Sequence, residues 1–283
     1  MPRIISLLIL LQTVTAYGQM PAVYFNHAFV VLDTADYNAL RTNSFIRNEL
    51  AGFQTRSTIS NGNGWTGSYI YGTDNYLELF EASTSQHDLG TAALATSVDG
   101  EGELLKVDSI LNKTYPATIE ERQRKVAGKM TPWFDCIYIN DTAFFNTSAI
   151  SFWIMEYRSS YFDSAQLQHQ TRSVSRKEYL AQYGDSLKGK CLKHFTAITF
   201  NATKEEENYF AELLRQCGLT QSAKHTFVTA DKFSIRFRRK KTSAHYALSQ
   251  LAFETFRPCK KIERVTQNIK IVVAGTKGRI LFE

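Results

Sequence analysis

Residues 25–81 read FNHAFVVLDTADYNALRTNSFIRNELAGFQTRSTISNGNGWTGSYIYGTDNYLELFE, and their order decides the fold. Phe25 to Asp33 is a strand-like run. Thr34-Ala35-Asp36 then supplies the capping chemistry of a helix that carries Leu40, Phe45, Ile46 and Leu50 on one side. Phe53 to Ile59, the turn residues Asn61-Gly62-Asn63-Gly64, Trp65 to Tyr71, the turn Gly72 to Asn75 and Tyr76 to Glu81 give three further strands. The unit is β-α-β-β-β.

Working outward, the same order recurs. Leu89 to Ser97 precedes Asp99-Gly100-Glu101-Gly102 and a helix with Leu104, Leu105, Val107, Ile110 and Leu111 on its apolar side, and strands are expected at Arg122 to Met130, Trp133 to Asn140 and Ala149 to Tyr157. Residues 164–190 are polar, with a short helix from Ser175 to Tyr183, and read as a connector. A third unit starts at Leu192 to Phe200 and an amphipathic helix, Lys204 to Cys217. Strands at Thr226 to Thr229, Phe233 to Arg238 and Ser249 to Arg257 would complete it, and Ile269 to Ala274 with Arg279 to Phe282 reads as a last hairpin around Gly275 to Gly278. The expected class is α+β: paired βαβββ modules forming a cupped mixed sheet over residues 20–162, a connector at 163–190, and an additional α+β unit at 191–283, a degenerate third module.

Two consecutive modules with Asn26-His27-Ala28-Phe29 in the first strand and Tyr76-Leu77-Glu78-Leu79-Phe80-Glu81 in the fourth resemble the vicinal oxygen chelate superfamily, the glyoxalase and bleomycin-resistance fold. The likeness covers residues 22–161. It implies a cavity between paired modules where first-strand and fourth-strand side chains bind a divalent metal and a small oxygenated molecule. It further implies lyase, isomerase or ring-cleaving oxygenase chemistry if the protein turns over.

Strand alternation puts Phe25, His27, Phe29 and Val31 on one face and Tyr76, Glu78 and Phe80 on another, so His27 and Glu78 project among aromatic groups. Coordination of Zn, Fe, Mn or Ni would satisfy both; a core histidine hydrogen-bonded to a structural glutamate is the alternative. Glu156 falls where Glu78 falls in the first module, which makes it a further expected metal ligand. As ligands the set is His27, Glu78 and Glu156, with Glu78 and Glu156 also the candidate proton shuttles. Thr91 stands at the histidine position of the second module and is a poor ligand, which favours a metal-free binding module. Arg158 would alternatively neutralise Glu156. Trp65, Tyr69, Tyr71, Tyr76 and Phe80 are the expected cavity residues, and His87 sits on the link between modules. His194 and Glu254 echo His27 and Glu78 and read as structural.

Composition sets the outer limits. The 283 residues are 43% hydrophobic, 13% aromatic and 21% charged, which excludes disorder and coiled coil. A net charge of +6 with one basic run, Arg236 to Lys241, reads as a charge-protected strand edge rather than a nucleic-acid site. Arg3 followed by the apolar run Ile4 to Ala16 reads as a signal peptide over residues 1–19, so a secreted or periplasmic protein with no integral membrane segment is expected. Among Cys136, Cys191, Cys217 and Cys259 one disulfide in the C-terminal third or four buried thiols are the two readings. No phosphate-binding loop, dinucleotide fingerprint, His-Glu-x-x-His or nucleophile elbow occurs, so no nucleotide cofactor is expected; the expected partner is a small molecule.

Overall fold

A computed structural model describes residues 20–240 and 244–283; the expected signal peptide lies outside the described residues. The class is α+β. Strand β1 (Tyr24–Leu32) runs into helix α1 (Thr34–Thr42), a π-helical turn (Ile46–Leu50), and strands β2 (Gly52–Ser60), β3 (Asn63–Tyr71) and β4 (Tyr76–Glu81). The second module is β5 (Ala92–Ser97), α2 (Glu103–Leu111), β6 (Ala117–Val126), β7 (Lys129–Ile139), a short helix α3 (Thr142–Phe145) and β8 (Ile150–Tyr157). Both share one curled sheet of order β2-β3-β4-β1-β5-β8-β7-β6, in which β1 pairs parallel with β4, β5 parallel with β8, and β1 antiparallel with β5. The curl brings its two edges together. Asn61 in the β2–β3 turn donates to the Glu121 carbonyl at 2.7 Å and accepts from the Gln123 amide at 3.0 Å, both on β6.

The stretch that follows does more than connect. Helices α4 (Ser159–Ser164), α5 (Arg176–Ala181) and α6 (Gly184–Leu187) lie across the concave face of the cup. Tyr161, Phe162, Tyr179 and Leu180 pack there against Tyr69, Tyr71, Tyr76, Trp133, Met155 and Tyr157. A Ser175 and Glu178 capping box starts α5.

The third unit is β9 (Leu192–Ala202), α7 (Lys204–Gln216), β10 (Thr220–Ala223), β11 (Thr226–Val228) and β12 (Ser234–Arg239), in the sheet order β10-β11-β12-β9-β13-β14. Its element order and its parallel β9·β12 pair repeat those of the first module. Two sequence expectations fail here. Ser249 to Arg257 belongs to β13 (Leu248–Arg264), which lies on the far side of β9 from β12, because the short β10 takes the place of the unit's second strand. The expected terminal hairpin is one strand, β14 (Ile269–Phe282), antiparallel to β13. Its glycines make room rather than a turn: a Cβ on Gly278 would sit 2.2 Å from the Phe253 ring, and Gly275 adopts a φ of +64° where the pairing is irregular.

The helix-bearing faces of the two sheets meet in one core. Tyr37 and Leu40 of α1, Leu104, Val107 and Leu111 of α2, and Phe210, Leu213 and Leu214 of α7 are buried in it. Phe25 stacks on Phe233 across the junction at 3.7 Å. Burial of each such Leu or Phe contributes about 1.5–3 kcal/mol. Arg176, 2% exposed, clamps the sheets together through ion pairs to Asp99 and Asp231.

Candidate functional site

The second module closes over the first at one end of the cup and leaves a cavity of about 280 Å³. Its walls come from both modules. His27, Phe29, Trp65, Tyr76, Glu78 and Phe80 belong to the first; Arg122, Trp133, Phe134, Tyr138, Trp153 and Met155 belong to the second; Thr84 to His87 form a loop at the side.

Alternation along β1 fails at one place. An irregularity between Phe25 and His27 turns Phe25 into the helix-side core with Ala28, Val30 and Leu32, while His27, Phe29 and Val31 face the cup. The His27 ring stacks on Tyr76 at 4.6 Å and meets the Trp153 edge at 5.5 Å. Its Nδ1 lies 2.8 Å from the Asn26 side-chain oxygen, which can only accept, so Nδ1 carries the proton and Nε2 keeps its lone pair. Burial, helped by the Arg56 charge, pushes the imidazole down to about 3, and the ring is neutral at physiological pH.

Glu78 sits on β4 opposite Phe29. Burial among aromatic rings pushes its carboxyl up to about 7, against the opposing pull of the Arg56 charge and the Tyr76 hydroxyl. Among the described residues no cation pairs with it within 4 Å. His87, stacked on Phe29 at 4.9 Å, is also held below its ordinary range by burial, against the charge of Asp88.

Trp65, Tyr76 and Phe80 line the cavity, whereas Tyr69 is 1% exposed and supports it from behind, accepting from Trp65 Nε1 at 3.2 Å. Glu156 is on the other face. It shares that face with Phe152 and Ile154, and its oxygens accept from the Gly102 and Leu104 amides at 2.7 Å each, capping α2, whose N-cap residue is a glycine without a side chain to do so. Position in the strand matches Glu156 to Glu78, but the uncapped N-terminus of α2 takes the Glu156 carboxylate on the opposite face, so it is not a ligand in the cup. Arg158 pairs with Asp135, at 2.7 Å, instead of Glu156. Thr91 precedes β5 and bonds to the Asp88 carbonyl, and the first-strand residues opposite His27 and Phe29 are Ala95 and Ala93. His27 and Glu78 are thus the candidate ligands the fold brings to one cavity. Among the described residues, no group of three His, Cys, Asp or Glu side chains is placed to hold a metal ion.

Trp133, Trp153, Arg122 and Tyr138 were missed. The signal was parity: once Phe152 and Ile154 are assigned to the helix-side core, Trp153 and Met155 must face the cup. Behind the cavity, Arg56 donates to the Tyr71 and Tyr183 hydroxyls and lies 4.1 Å from the Tyr69 ring centre, and Arg124 donates to Tyr161 at 3.2 Å. Burial would push the Tyr183 phenol up, but the charges of Arg56 and Arg124 outweigh it and hold it below its ordinary value.

Fold and site together define an α+β protein of repeated β-α-β-β-β units around one aromatic-walled cavity. A family model described as a family of unknown function, DUF5829, matches residues 25–282, and the chain belongs to that family. The match runs from the first strand of the cup into the last strand of the chain, so both sheets are part of what defines the family. Comparison with curated proteins gives no match. Among the described residues, no helix is long and apolar enough to cross a membrane.

Proposed function

We propose that this chain is an exported protein that binds a small oxygenated molecule in the cup cavity, packed against its aromatic walls and hydrogen-bonded to Glu78 and His27. One convergence supports it. All three tryptophans of the chain line this one cavity, together with two neutral imidazoles and a carboxyl with no ion-pair partner among the described residues. Such a cavity offers stacking surface and a few placed polar groups, the usual composition of a small-molecule site. A carboxyl balanced near pH 7 both accepts and donates, so it matches a hydroxyl or a carbonyl and can pass a proton to either.

A divalent metal on His27 and Glu78 is the second reading, favoured by the Asn26 bond that fixes the tautomer and frees Nε2. With Glu156 capping α2, two protein donors remain where catalytic zinc sites use three, so the cavity itself carries the proposal.

Titration of catechols, hydroxyketones and diols against the wild-type protein, followed by tryptophan emission, tests it. Saturable change is expected, weakened at least tenfold in Glu78→Gln. No response to any of the three classes would sink the binding proposal. Elemental analysis of protein purified without chelator, beside the His27→Ala, Glu78→Ala double variant, decides between the two readings: stoichiometric metal lost in the variant supports the metal site, and none in either supports the metal-free cavity.

A further inference from the structure

The cup cavity is surrounded by more positive charge than its own walls neutralise. Arg122 lines it, and Arg56 and Arg124 stand behind it, their guanidinium carbons 4.1 Å from the Tyr69 ring centre and 5.0 Å from the Trp133 ring centre. Among the described residues, every hydrogen-bond partner of Arg56 and Arg124 is a tyrosine hydroxyl, and neither has a carboxylate within 4 Å. The neighbours feel the shortage. The Arg56 charge pulls both His27 and Glu78 down, and with Arg124 it holds the Tyr183 phenol below its ordinary value. Against these three guanidinium groups the cavity lining offers one carboxyl, Glu78, which burial keeps partly protonated at neutral pH.

Arg122 is the one of the three that lines the cavity, and the backbone fixes where its side chain starts. The seam that closes the cup runs through its two neighbours: the Glu121 carbonyl and the Gln123 amide are the groups bonded to Asn61. Arg122 Nη2 donates to the Tyr138 hydroxyl at 3.1 Å and meets Glu120 at 2.9 Å, so both oxygen partners fall on one nitrogen. Among the described residues Nη1 has no oxygen partner. The Tyr138 hydroxyl accepts from Arg122, which leaves its own proton to donate. Glu120 is half exposed and lies outside the lining, and an ion pair of that kind contributes little.

We propose, building on the binding reading above, that the ligand of this cavity is a flat aromatic hydroxy acid. Its carboxylate takes Arg122 Nη1 and the Tyr138 hydroxyl, its ring lies against the tryptophan and phenylalanine walls, and its hydroxyl meets Glu78 and His27. Charge-assisted hydrogen bonds to Arg122 select an anion over a neutral molecule of the same shape, and the field of Arg56 and Arg124 adds to the attraction.

Calorimetric titration of the full chain with 4-hydroxybenzoate and 3-(4-hydroxyphenyl)propanoate, each beside its neutral amide at neutral pH, tests this. The two acids differ in the reach from ring to carboxylate. At least one should bind tenfold or more tighter than its amide, an advantage that shrinks as salt is raised and falls to within about twofold in Arg122→Gln. Arg122→Lys, which keeps the charge, should retain part of it. Amides that bind as tightly as their acids in both pairs overturn the anionic ligand and leave the binding reading standing. An advantage that survives Arg122→Gln overturns the role of Arg122. If none of the four compounds binds, this proposal fails, and the titrations with catechols, hydroxyketones and diols decide whether the binding reading fails with it. Should Arg122→Gln not fold, the acid and amide pairs and their salt dependence in the wild type still decide.

Discussion

The first and third units follow the same path and present opposite chemistry. Counted from the helix caps Asp33 and Thr203, β1 and β9 differ by a constant offset of 170 residues, and the parallel pairings agree: His27 with Tyr76 corresponds to Ala197 with Ser234, and Phe29 with Glu78 to Thr199 with Arg236. The imidazole is replaced by a methyl group and the carboxylate by a guanidinium. In the first unit this face looks into an aromatic cup covered by α4 to α6; in the third, Arg236 and Arg238 are exposed on it. A shared path therefore fixes where side chains point but not what they meet. The cavity arises because the second module faces this strand pair across the cup, which, among the described residues, nothing does for the third unit's Arg236 and Arg238.

The largest expected effect breaks the link between these regions. Arg176→Ala leaves the carboxylates of Asp99 and Asp231 without their shared cation and should cost about 3–5 kcal/mol in denaturant unfolding. If the two sheets then melt separately, the clamp is what makes them one cooperative unit; an unchanged midpoint would show the shared core suffices. Next, Tyr179→Ala removes a buried ring stacked on Tyr157 at 4.2 Å and should cost ~3 kcal/mol, with ligand affinity lowered as the covering segment loosens.

The pH dependence sharpens the contrast further. Glu78 has a folded value above its unfolded one, so stability should fall as pH rises from about 4.5 to about 7, by roughly 1–2 kcal/mol once cavity water is allowed for. His27 has a folded value below its unfolded one, so its contribution is full above about 6.5 and is lost as pH falls toward 3. Glu78→Gln should abolish the first slope and leave the second, read from unfolding midpoints across pH 3–8. The smallest shift is expected on the open face: Thr199→Ala should stay within about 0.5 kcal/mol and leave tryptophan emission unchanged.

How much of this was legible follows from which forces act locally. Strand and helix order came from periodicity and turn residues, and the four strands of the unit that holds His27 and Glu78 were placed from those alone. The bulge that turns Phe25 away was not, because one extra residue in a strand leaves no composition signal. Glu156 was misplaced because its role is set by a helix end, 52 residues earlier in sequence, that lacks a capping side chain. Polarity made 163–190 look like a linker, yet its tyrosines keep their hydroxyls bonded to Arg56 and Arg124 while burying their rings. His194 and Glu254 looked like a second His and Glu pair on first and fourth strands; they are cross-strand neighbours on β9 and β13, 3.5 Å apart.

Asn61 closes the cup by bonding the backbone of β6, so that sheet has its two outer strands turned toward each other at that end. The six-stranded sheet has no such closure among the described residues, and β14 is an edge of 14 residues. An open edge is a template on which a further strand can be laid, from this chain or another. Here Lys270, Lys277 and Arg279 and the break at Gly275 interrupt it. Any strand laid along β14 would therefore meet three cations and a backbone break before it could pair over the full length of that edge.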